Sequence, residues 1–353
     1  MEKQLQQLEN GLGKLQNKGS KFYFLTQDTE GNAVASVETN YRYVKHLVDA
    51  GYDAYVLYEK AEYKGVESWL GTDYSELPHS NIESGDLKVG PQDFLVVPEL
   101  YGSTLEQLMN MPCTKIILSQ SHDYILDTLN PGFGWSNYGI TKCITTTDEQ
   151  KKYIASIFPS IQTEVISPVI SDYFVPSEKP KKPIVSVHTR DQRMTMKIIK
   201  MFYLQNPQFK WLTFRDMRGM SKEEFAKVLG ESCLSVWVDR ISSFGTYPLE
   251  SMRCGTPVVG VLPTMKPEWL TKENGIWSQD ETTIVTTIAN FMKNWLEDSL
   301  PEELYKSMET ASVPYTIEKE RKSVIAYFET LTTEKVTEFE ASINKLKPAE
   351  ENV

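Results

Sequence analysis

The sequence predicts an α/β protein with two parallel sheets, each covered by helices, and a helical C-terminal tail. Short apolar segments alternate with amphipathic segments from residue 21 to residue 166, and again from residue 184 to residue 259. A stretch with four prolines, residues 167–183, separates the two alternations and predicts a linker. From Thr282 onward the pattern is almost wholly helical. Such alternation is typical of parallel sheets with helices on both faces.

Individual elements follow from the spacing of the apolar residues. The predicted strands are residues 22–25, 54–58, 94–97, 116–118, 143–146, 165–166, 184–187, 211–214, 234–238 and 257–259. The predicted helices are residues 34–50, 105–109, 148–158 and 194–204, one that a capping box opens at residue 221, and one that starts near residue 248.

A leucine stripe precedes the first strand. Leu5, Leu8, Leu12 and Leu15 follow a 3-4-3 spacing, which predicts an amphipathic helix. Glycines at positions 11 and 13 weaken that helix by about 1 kcal/mol each. The stripe either docks on its own domain or serves as a dimer contact or a membrane-surface helix, and the spacing does not decide between these.

Length and composition exclude several classes of protein. The chain of 353 residues suggests two domains, and its net charge of −11 argues against broad binding to a phosphate backbone. No apolar run approaches the roughly 20 residues of a membrane span. The four cysteines lack metal-type spacing, which indicates buried thiols and a reducing compartment. A cytoplasmic location is therefore expected.

The most informative segment is residues 242–259, Ser-Ser-Phe-Gly-Thr-Tyr-Pro-Leu-Glu-Ser-Met-Arg-Cys-Gly-Thr-Pro-Val-Val. It follows an apolar run at residues 234–238 that predicts a buried strand. Pro248 suits the first turn of a helix, and Gly255 suits its C-cap. A strand, a glycine-containing loop, a short helix and a second strand hold a ligand at the carboxyl edge of a parallel sheet.

This segment resembles the donor-binding motif of retaining GT-B glycosyltransferases of the glycosyltransferase 4 family. The resemblance implies the GT-B fold, in which two Rossmann-like domains face a cleft, and a nucleotide-sugar donor as co-substrate. It implies an acceptor domain at residues 1–168 and a donor domain at residues 169–353. Helices at about 314–345 would cross back to the first domain. Weaker similarity extends over most of residues 20–295.

Two positions of the motif carry the expected donor contacts. The family's second motif glutamate matches Glu250, which implies that its carboxylate binds the ribose hydroxyls of the donor. An acid in the first helical turn could instead only complement the helix dipole. The first motif glutamate falls on Ser242, so the sugar would be held differently, mainly by the backbone of Ser243, Phe244 and Gly245. A loop serine without a ligand is the alternative.

Three cations follow the predicted strand at residues 184–187. A leaving nucleoside diphosphate develops negative charge, which fixed cations such as Arg190, Arg193 and Lys197 would stabilise. The family has a lysine five residues after its arginine, whereas this chain has Thr195. Arg193 and Lys197 lie four residues apart on one helix face, so either could substitute. Each of the three is also compatible with ordinary surface charge.

Further candidates lie at the ends of other strands. The resemblance implies that His122, which follows the strand at residues 116–118, approaches the donor sugar. Asp123 is a candidate base on the acceptor side. Gly31 would allow the backbone to approach a phosphate closely. An ordinary turn glycine is the alternative. Residues 214–218 end a strand where the family binds the nucleotide base.

These observations predict a metal-independent glycosyltransferase; the resemblance implies retention of configuration, and Ser242 in place of the first glutamate leaves retention against inversion open. No Asp-x-Asp pair follows a strand and the histidines are dispersed, so neither a metal nor a cofactor beyond the donor is expected. The acceptor is left open between a glycan, a protein and a modified nucleobase in DNA, and the acidic charge counts against DNA. The alternative function is a catalytically silent nucleotide-sugar-binding module, for which Ser242 is the motivation. The sequence does not decide the oligomeric state, for which the leucine stripe is a candidate contact.

Overall fold

Seven parallel strands form the first sheet of the computed structural model, which describes residues 2–32, 34–63, 70, 74 and 76–347. The strands are β1 (Lys21–Leu25), β2 (Asp53–Tyr58), β3 (His79–Asn81), β4 (Phe94–Pro98), β5 (Thr114–Ser119), β6 (Lys142–Thr145) and β7 (Gln162–Val165). Their order across the sheet is β3-β2-β1-β4-β5-β6-β7, so the chain reverses its winding direction beside β1. In parallel sheets such a reversal opens a crevice at the carboxyl ends of the strands.

The second sheet is also parallel and has five strands. They are β8 (Lys182–Thr189), β9 (Thr213–Asp216), β10 (Ser232–Val238), β11 (Val258–Val261) and β12 (Ile276–Ser278), in the order β12-β11-β10-β8-β9. Every residue of the central strand β10 is buried. This agrees with its mainly apolar sequence, which two buried serines interrupt, because strands of a parallel sheet are covered on both faces.

Helices cover both sheets and form the C-terminal tail. They are α1 (Glu2–Gln16), α2 (Ala35–Asp49), α3 (Leu105–Leu108), α4 (Asp148–Ile157), α5 (Gln192–Gln205), α6 (Lys222–Glu231), α7 (Thr246–Arg253), α8 (Ile284–Leu296), α9 (Glu302–Ser312) and α10 (Ile317–Leu346). The predicted α/β class with two parallel sheets and a helical tail is confirmed.

Several predicted boundaries were wrong. The strand expected at residues 211–214 is Thr213–Asp216, and the one expected at residues 165–166 is Gln162–Val165. The edge strand His79–Asn81 was not predicted, because it is polar and has no apolar run. In both shifted strands the exposed and half-buried residues alternate, so the pairing partner rather than hydrophobicity decides where the strand lies.

The leucine stripe of α1 packs against the core of the first domain. Leu15 is buried, while Leu8 and Leu12 pack against the core of the first domain. Helix α1 lies along α10, and a Cβ atom on Gly11 would stand 2.5 Å from the Cε1 atom of Phe339. Gly11 therefore permits this close approach rather than merely weakening the helix. The dimer and membrane-surface alternatives do not hold for this stripe, because α10 already covers it.

Helix α10 follows the second sheet in sequence and packs against α1 and α2 of the first domain. Its Glu320 carboxylate is fully buried and receives two hydrogen bonds from Arg42, at 2.9 and 3.1 Å. The Nε2 atom of His46 lies 3.1 Å from the same carboxylate. Burial alone would raise the pKa of Glu320, but Arg42 and His46 hold it below its ordinary value. This ion pair attaches the C-terminal helix to the first domain.

The four cysteines are buried and unpaired, as predicted. In the part of the chain that the structure describes, no helix combines the length and the apolar character that crossing a membrane requires.

The Glu320 ion pair yields a stability prediction. Glu320→Gln should lower the free energy of unfolding by about 3 kcal/mol, because removing one partner leaves a buried charge poorly compensated. The loss is expected at the low end of the range, since Glu38 remains 3.2 Å from Arg42. Urea unfolding measures it. The matched control is Glu318→Gln, which breaks an exposed pair with Lys322 and should cost less than about 0.5 kcal/mol. Equal losses in the two variants would contradict this account.

Candidate functional site

A cleft of about 1250 Å³ lies between the two sheets. Its lining includes residues that directly follow strands of both sheets, among them Glu99 after β4, Gln120 after β5 and Arg190 after β8. The loop after β10 contributes Ser242. The carboxyl ends of both sheets therefore face one cavity, which is where open α/β sheets bind ligands.

The loop before α7 has a tightly constrained backbone. Gly245 adopts φ 74°, and a Cβ atom there would stand 2.9 Å from the Cζ2 atom of Trp237, so only glycine fits. The indole of Trp269 donates a 2.7 Å hydrogen bond to the carbonyl of Phe244. Ser242, Phe244 and Gly245 line the cleft.

Helix α7 begins at Thr246, two residues earlier than predicted, because Gly245 in its left-handed conformation serves as the N-cap. Glu250 is consequently in the second turn and not in the first. The interpretation of Glu250 as a first-turn acid that complements the helix dipole is therefore wrong, since that effect falls off beyond the first turn.

Glu250 lines the cleft beside an ion pair between the two domains. Lys222, the first residue of α6, pairs across the cleft with Glu38 of α2. Burial raises the pKa of Glu250 to about 8; the charge of Glu38 adds to the shift, and Lys222 opposes it. Within the described residues, no side chain or backbone group donates a hydrogen bond to the Glu250 carboxylate. A carboxylate held without a protein partner in a cleft is a candidate ligand-binding group.

His122 and Ser243 join the two domains. The Ser243 hydroxyl oxygen accepts a hydrogen bond from the backbone N–H of His122 at 2.8 Å and lies 2.9 Å from its Nδ1 atom. The Ser243 hydroxyl thus fixes the position of the His122 ring, and its contact with Nδ1 fits either neutral tautomer. Burial also lowers the pKa of His122. Ser243 is buried, and its hydroxyl group already contacts His122. Its side chain is therefore an interdomain contact rather than a cleft-lining group.

The predicted cations separate into two groups. Arg190 lines the cleft, pairs with Asp239 at 3.0 Å and donates to the Tyr124 hydroxyl at 3.4 Å. Arg193 and Lys197 are exposed on α5 and do not line the cleft. The helix begins at Gln192, so both side chains project from its solvent side, whereas Thr195 on the opposite side is buried.

Arg218 was missed as a cation by the sequence analysis. It belongs to the segment 214–218, predicted only as a base-binding stretch, and its Nη2 atom donates to the Thr195 hydroxyl at 3.2 Å. It also pairs with Asp216. Thr195 stands where the resemblance implies a lysine, so a cation from a neighbouring strand reaches the vacant position. Burial is the largest cause that lowers the pKa of His188; Arg218 and Arg190 lower it further, while Asp239 and Asp216 oppose them. Arg218 itself does not line the cleft.

Glu99 is a second residue that was missed. It follows β4 directly, is 4% exposed, and lines the cleft. Its Oε1 atom accepts backbone hydrogen bonds from Gln120 at 3.0 Å and Ser121 at 2.7 Å. Burial raises the pKa of Glu99 to about 7 against these hydrogen bonds. Its place immediately after a buried strand was the available signal, because such positions meet at the ligand-binding edge.

The remaining candidates lie elsewhere. Gly31 has a positive φ of 85° and is exposed outside the cleft lining, as a turn glycine would be. Asp123 is half-buried beside His122 and is also outside that lining. Among the described residues no three His, Cys, Asp or Glu side chains are grouped closely enough to hold a metal ion.

Comparison with solved structures identifies this architecture. The chain superposes on sucrose-phosphate synthase from Thermosynechococcus elongatus with a TM-score of 0.65, covering 89% of this chain and 99% of the other at 13% identity. The protein has the GT-B fold. Two further GT-B structures agree: TarM of S. aureus (TM-score 0.64, 10% identity, 89% and 98% covered) and HepE from Anabaena with UDP-glucose (0.59, 12%, 88% and 99%). Identities this low establish the GT-B fold alone.

Sequence comparison adds one relative. An α-1,6-glucosyltransferase from Actinobacillus pleuropneumoniae is 25% identical over 190 residues, which is 51% of this chain. The aligned part spans 56% of that protein, little more than half its length. No protein-family model matches the chain. The resemblance identified from residues 242–259 is thus supported by a sequence relative and by the GT-B fold.

The raised pKa of Glu250 yields a pH prediction. Because the folded pKa is about 8 and the ordinary value is 4.5, the folded state retains a proton that the unfolded state has lost between these pH values. Stability conferred by Glu250 therefore falls as the pH rises through this interval. Glu250→Gln, which cannot ionise, should match the wild type near pH 4.5 and unfold at a higher temperature at pH 8 and above. Thermal denaturation from pH 4.5 to 9 measures the difference. A difference that does not change with pH would refute the assignment.

Proposed function

We propose that this protein is a glycosyltransferase that moves a sugar from a nucleotide-activated donor to a hydroxyl group of an acceptor. The observation that carries the proposal is Glu250: an unpartnered carboxylate at the cleft of a GT-B fold, on the helix that the glycine loop of residues 242–245 introduces. Such a carboxylate can accept hydrogen bonds from both hydroxyls of a ribose. UDP-glucose is the first donor to test, because the sequence relative is named a glucosyltransferase and HepE carries UDP-glucose.

The proposed reaction uses Arg190, which lines the cleft, and two residues outside its lining, Arg218 and His122. Arg190 and Arg218 stabilise the charge that develops on the departing diphosphate, together with the backbone N–H groups at the start of α7. The bond between the anomeric carbon and the diphosphate oxygen breaks, and a bond from that carbon to the acceptor oxygen forms. The acceptor proton passes to the departing diphosphate. Retention of configuration and independence of metal belong to this proposal.

His122 has a positioning role in this scheme. Its ring is held by Ser243 at Nδ1, and in the tautomer with the proton on Nε2 it can donate to an oxygen of the donor sugar. The loop from Ser242 to Gly245 holds the sugar from the other side by backbone groups, because Ser242 supplies no carboxylate.

The test of function separates an enzyme from a silent binding module. A thermal-shift panel of UDP-, GDP-, dTDP- and ADP-sugars identifies the donor, since a ligand at 100 times its dissociation constant stabilises by about 2.7 kcal/mol. Slow release of nucleoside diphosphate from that donor, with EDTA present, is expected of a metal-independent enzyme. Binding without release would favour the silent module. Activity that EDTA abolishes and Mn²⁺ restores would refute metal independence.

Glu250 is tested by the ribose it is proposed to bind. At pH 9, above the pKa of about 8, Glu250→Gln should weaken binding of the nucleoside diphosphate by about ten- to a hundredfold, since it removes a charge-assisted acceptor. Glu250→Ala should weaken it more. In calorimetry the wild type should prefer the ribose form to the 2′,3′-dideoxy analogue, and the alanine variant should barely distinguish the two. Equal wild-type affinity for both forms would remove Glu250 from the donor site.

The role of Arg218 is tested by comparing the binding of UDP with the binding of uridine, which lacks the diphosphate. Arg218→Ala should weaken binding of UDP by about ten- to a hundredfold and leave binding of uridine unchanged, because only UDP carries the charge that the guanidinium neutralises. Arg193→Ala is the matched control, since Arg193 is exposed outside the cleft lining. Arg193→Ala should leave both affinities near the wild-type values. A larger effect of Arg193→Ala than of Arg218→Ala would reverse the assignment.

A further inference from the structure

The wall of the cleft opposite the proposed donor site has two side-chain oxygens that receive no hydrogen bond from another described residue. The first is the Asn40 side chain, which is 2% exposed and borders the cleft. Its Nδ2 atom donates to the carbonyl of Leu25 at 3.0 Å and to the hydroxyl of Thr26 at 3.1 Å. Its Oδ1 atom is buried and accepts no hydrogen bond from the described residues. A buried polar atom of this kind is costly, and in native proteins it calls for an explanation.

The second acceptor belongs to Glu99. Its Oε1 atom receives both backbone hydrogen bonds, from Gln120 and Ser121, while Oε2 receives none from another residue in the described part of the chain. Strands β1 and β4 are parallel neighbours, with Phe24 beside Val96. Asn40 is bonded to the carboxyl end of β1 and Glu99 follows the carboxyl end of β4, so both acceptors lie at one edge of one sheet.

The charge of this wall excludes an anionic ligand. Arg42, the cation on the α2 side of the cleft, is already paired with Glu38 and Glu320. Lys222 is paired with Glu38 as well. The unpaired groups are therefore carboxylate and amide oxygens, which attract O–H donors and repel a phosphate or carboxylate. The tyrosines at positions 101 and 124 also border the cleft and offer rings against which a sugar face can pack.

From this geometry we infer that the acceptor substrate is a neutral carbohydrate, and that its hydroxyl groups donate hydrogen bonds to Glu99 and Asn40. The inference rests on the proposed glycosyltransferase function and specifies its acceptor. One hydroxyl of the bound sugar is left to attack the anomeric carbon of the donor, and its proton goes to the departing diphosphate. Glu99 and Asn40 bind the acceptor and do not take that proton.

The test measures transfer from UDP-glucose, or from whichever donor the thermal-shift panel identifies, at pH 8. The neutral probes are methyl glucoside, maltose and isomaltose. The anionic probes are glycerol 3-phosphate and a short DNA oligonucleotide with a hydroxymethylated base. Transfer to at least one neutral sugar and to neither anionic probe is expected. Transfer to an anionic probe alone, or donor release without transfer to any neutral sugar, would overturn the inference while leaving the proposed function intact.

Glu99→Gln isolates the contact with the acceptor. Glutamine keeps an oxygen for the N–H groups of Gln120 and Ser121 and presents an NH₂ group where Oε2 was. The NH₂ group then faces the sugar hydroxyl, and it cannot accept the hydrogen bond that Oε2 would accept. The catalytic efficiency for the neutral sugar should fall about ten- to a hundredfold, through the KM of the acceptor rather than that of the nucleotide sugar. Glu106→Gln is the control: Glu106 is exposed on α3, bonded to Asn130. It should leave transfer unchanged.

Two results would separate the possible failures. An acceptor KM that Glu99→Gln does not change would overturn the role of Glu99. If no nucleotide sugar binds to the wild type or is hydrolysed by it, the proposed function fails, and the acceptor inference fails with it. Circular dichroism and the melting temperature of Glu99→Gln confirm that the variant is folded, because its backbone contacts are preserved by design.

Discussion

The buried carboxylate of Glu320 joins the C-terminal helix to the first domain, and the shape of the cleft depends on that attachment. Glu320 holds Arg42 by two hydrogen bonds and His46 by a third. Arg42 in turn lies 3.2 Å from Glu38, whose carboxylate pairs across the cleft with Lys222. The charge of Glu38 is one of the causes that raise the pKa of Glu250. A continuous set of charges thus runs from the attachment of the last helix to the proposed donor site.

The cleft retains polar groups that its own chain does not satisfy. The Oδ1 atom of Asn40 is buried without a donor, and neither the Glu250 carboxylate nor the Oε2 atom of Glu99 receives a hydrogen bond from another described residue. Burial without a partner is unfavourable for folding. Such groups persist where a ligand completes their hydrogen bonds, and here they lie on opposite walls. The proposed donor and acceptor sites therefore share one property: each has polar groups that the described part of the chain leaves without a hydrogen-bond donor.

Much of the fold was predictable from residue pattern because the pattern reflects burial. Strand β10 is buried throughout and mainly apolar, and five of its residues were predicted, whereas β3 is polar and half-buried and was not found at all. The site was predictable where one segment contains both the backbone constraint and the side chain. Gly245 and Glu250 belong to one loop and helix, so their spacing alone was informative. The candidates Arg193 and Lys197 belong to another helix, α5, and lie on its exposed side.

The sequence by itself determined the two parallel sheets, the linker, the glycine loop and the carboxylate of Glu250, because each depends on residues that are close in the chain. Only the tertiary structure decided which distant residues meet. Arg218 reaches Thr195 from another strand, Ser243 binds His122 across the cleft, and Glu99 faces the same cavity as Glu250. These contacts depend on how two sheets are placed against each other. That placement is set by side-chain packing and by ion pairs between residues as far apart as Arg42 and Glu320, which no local pattern records.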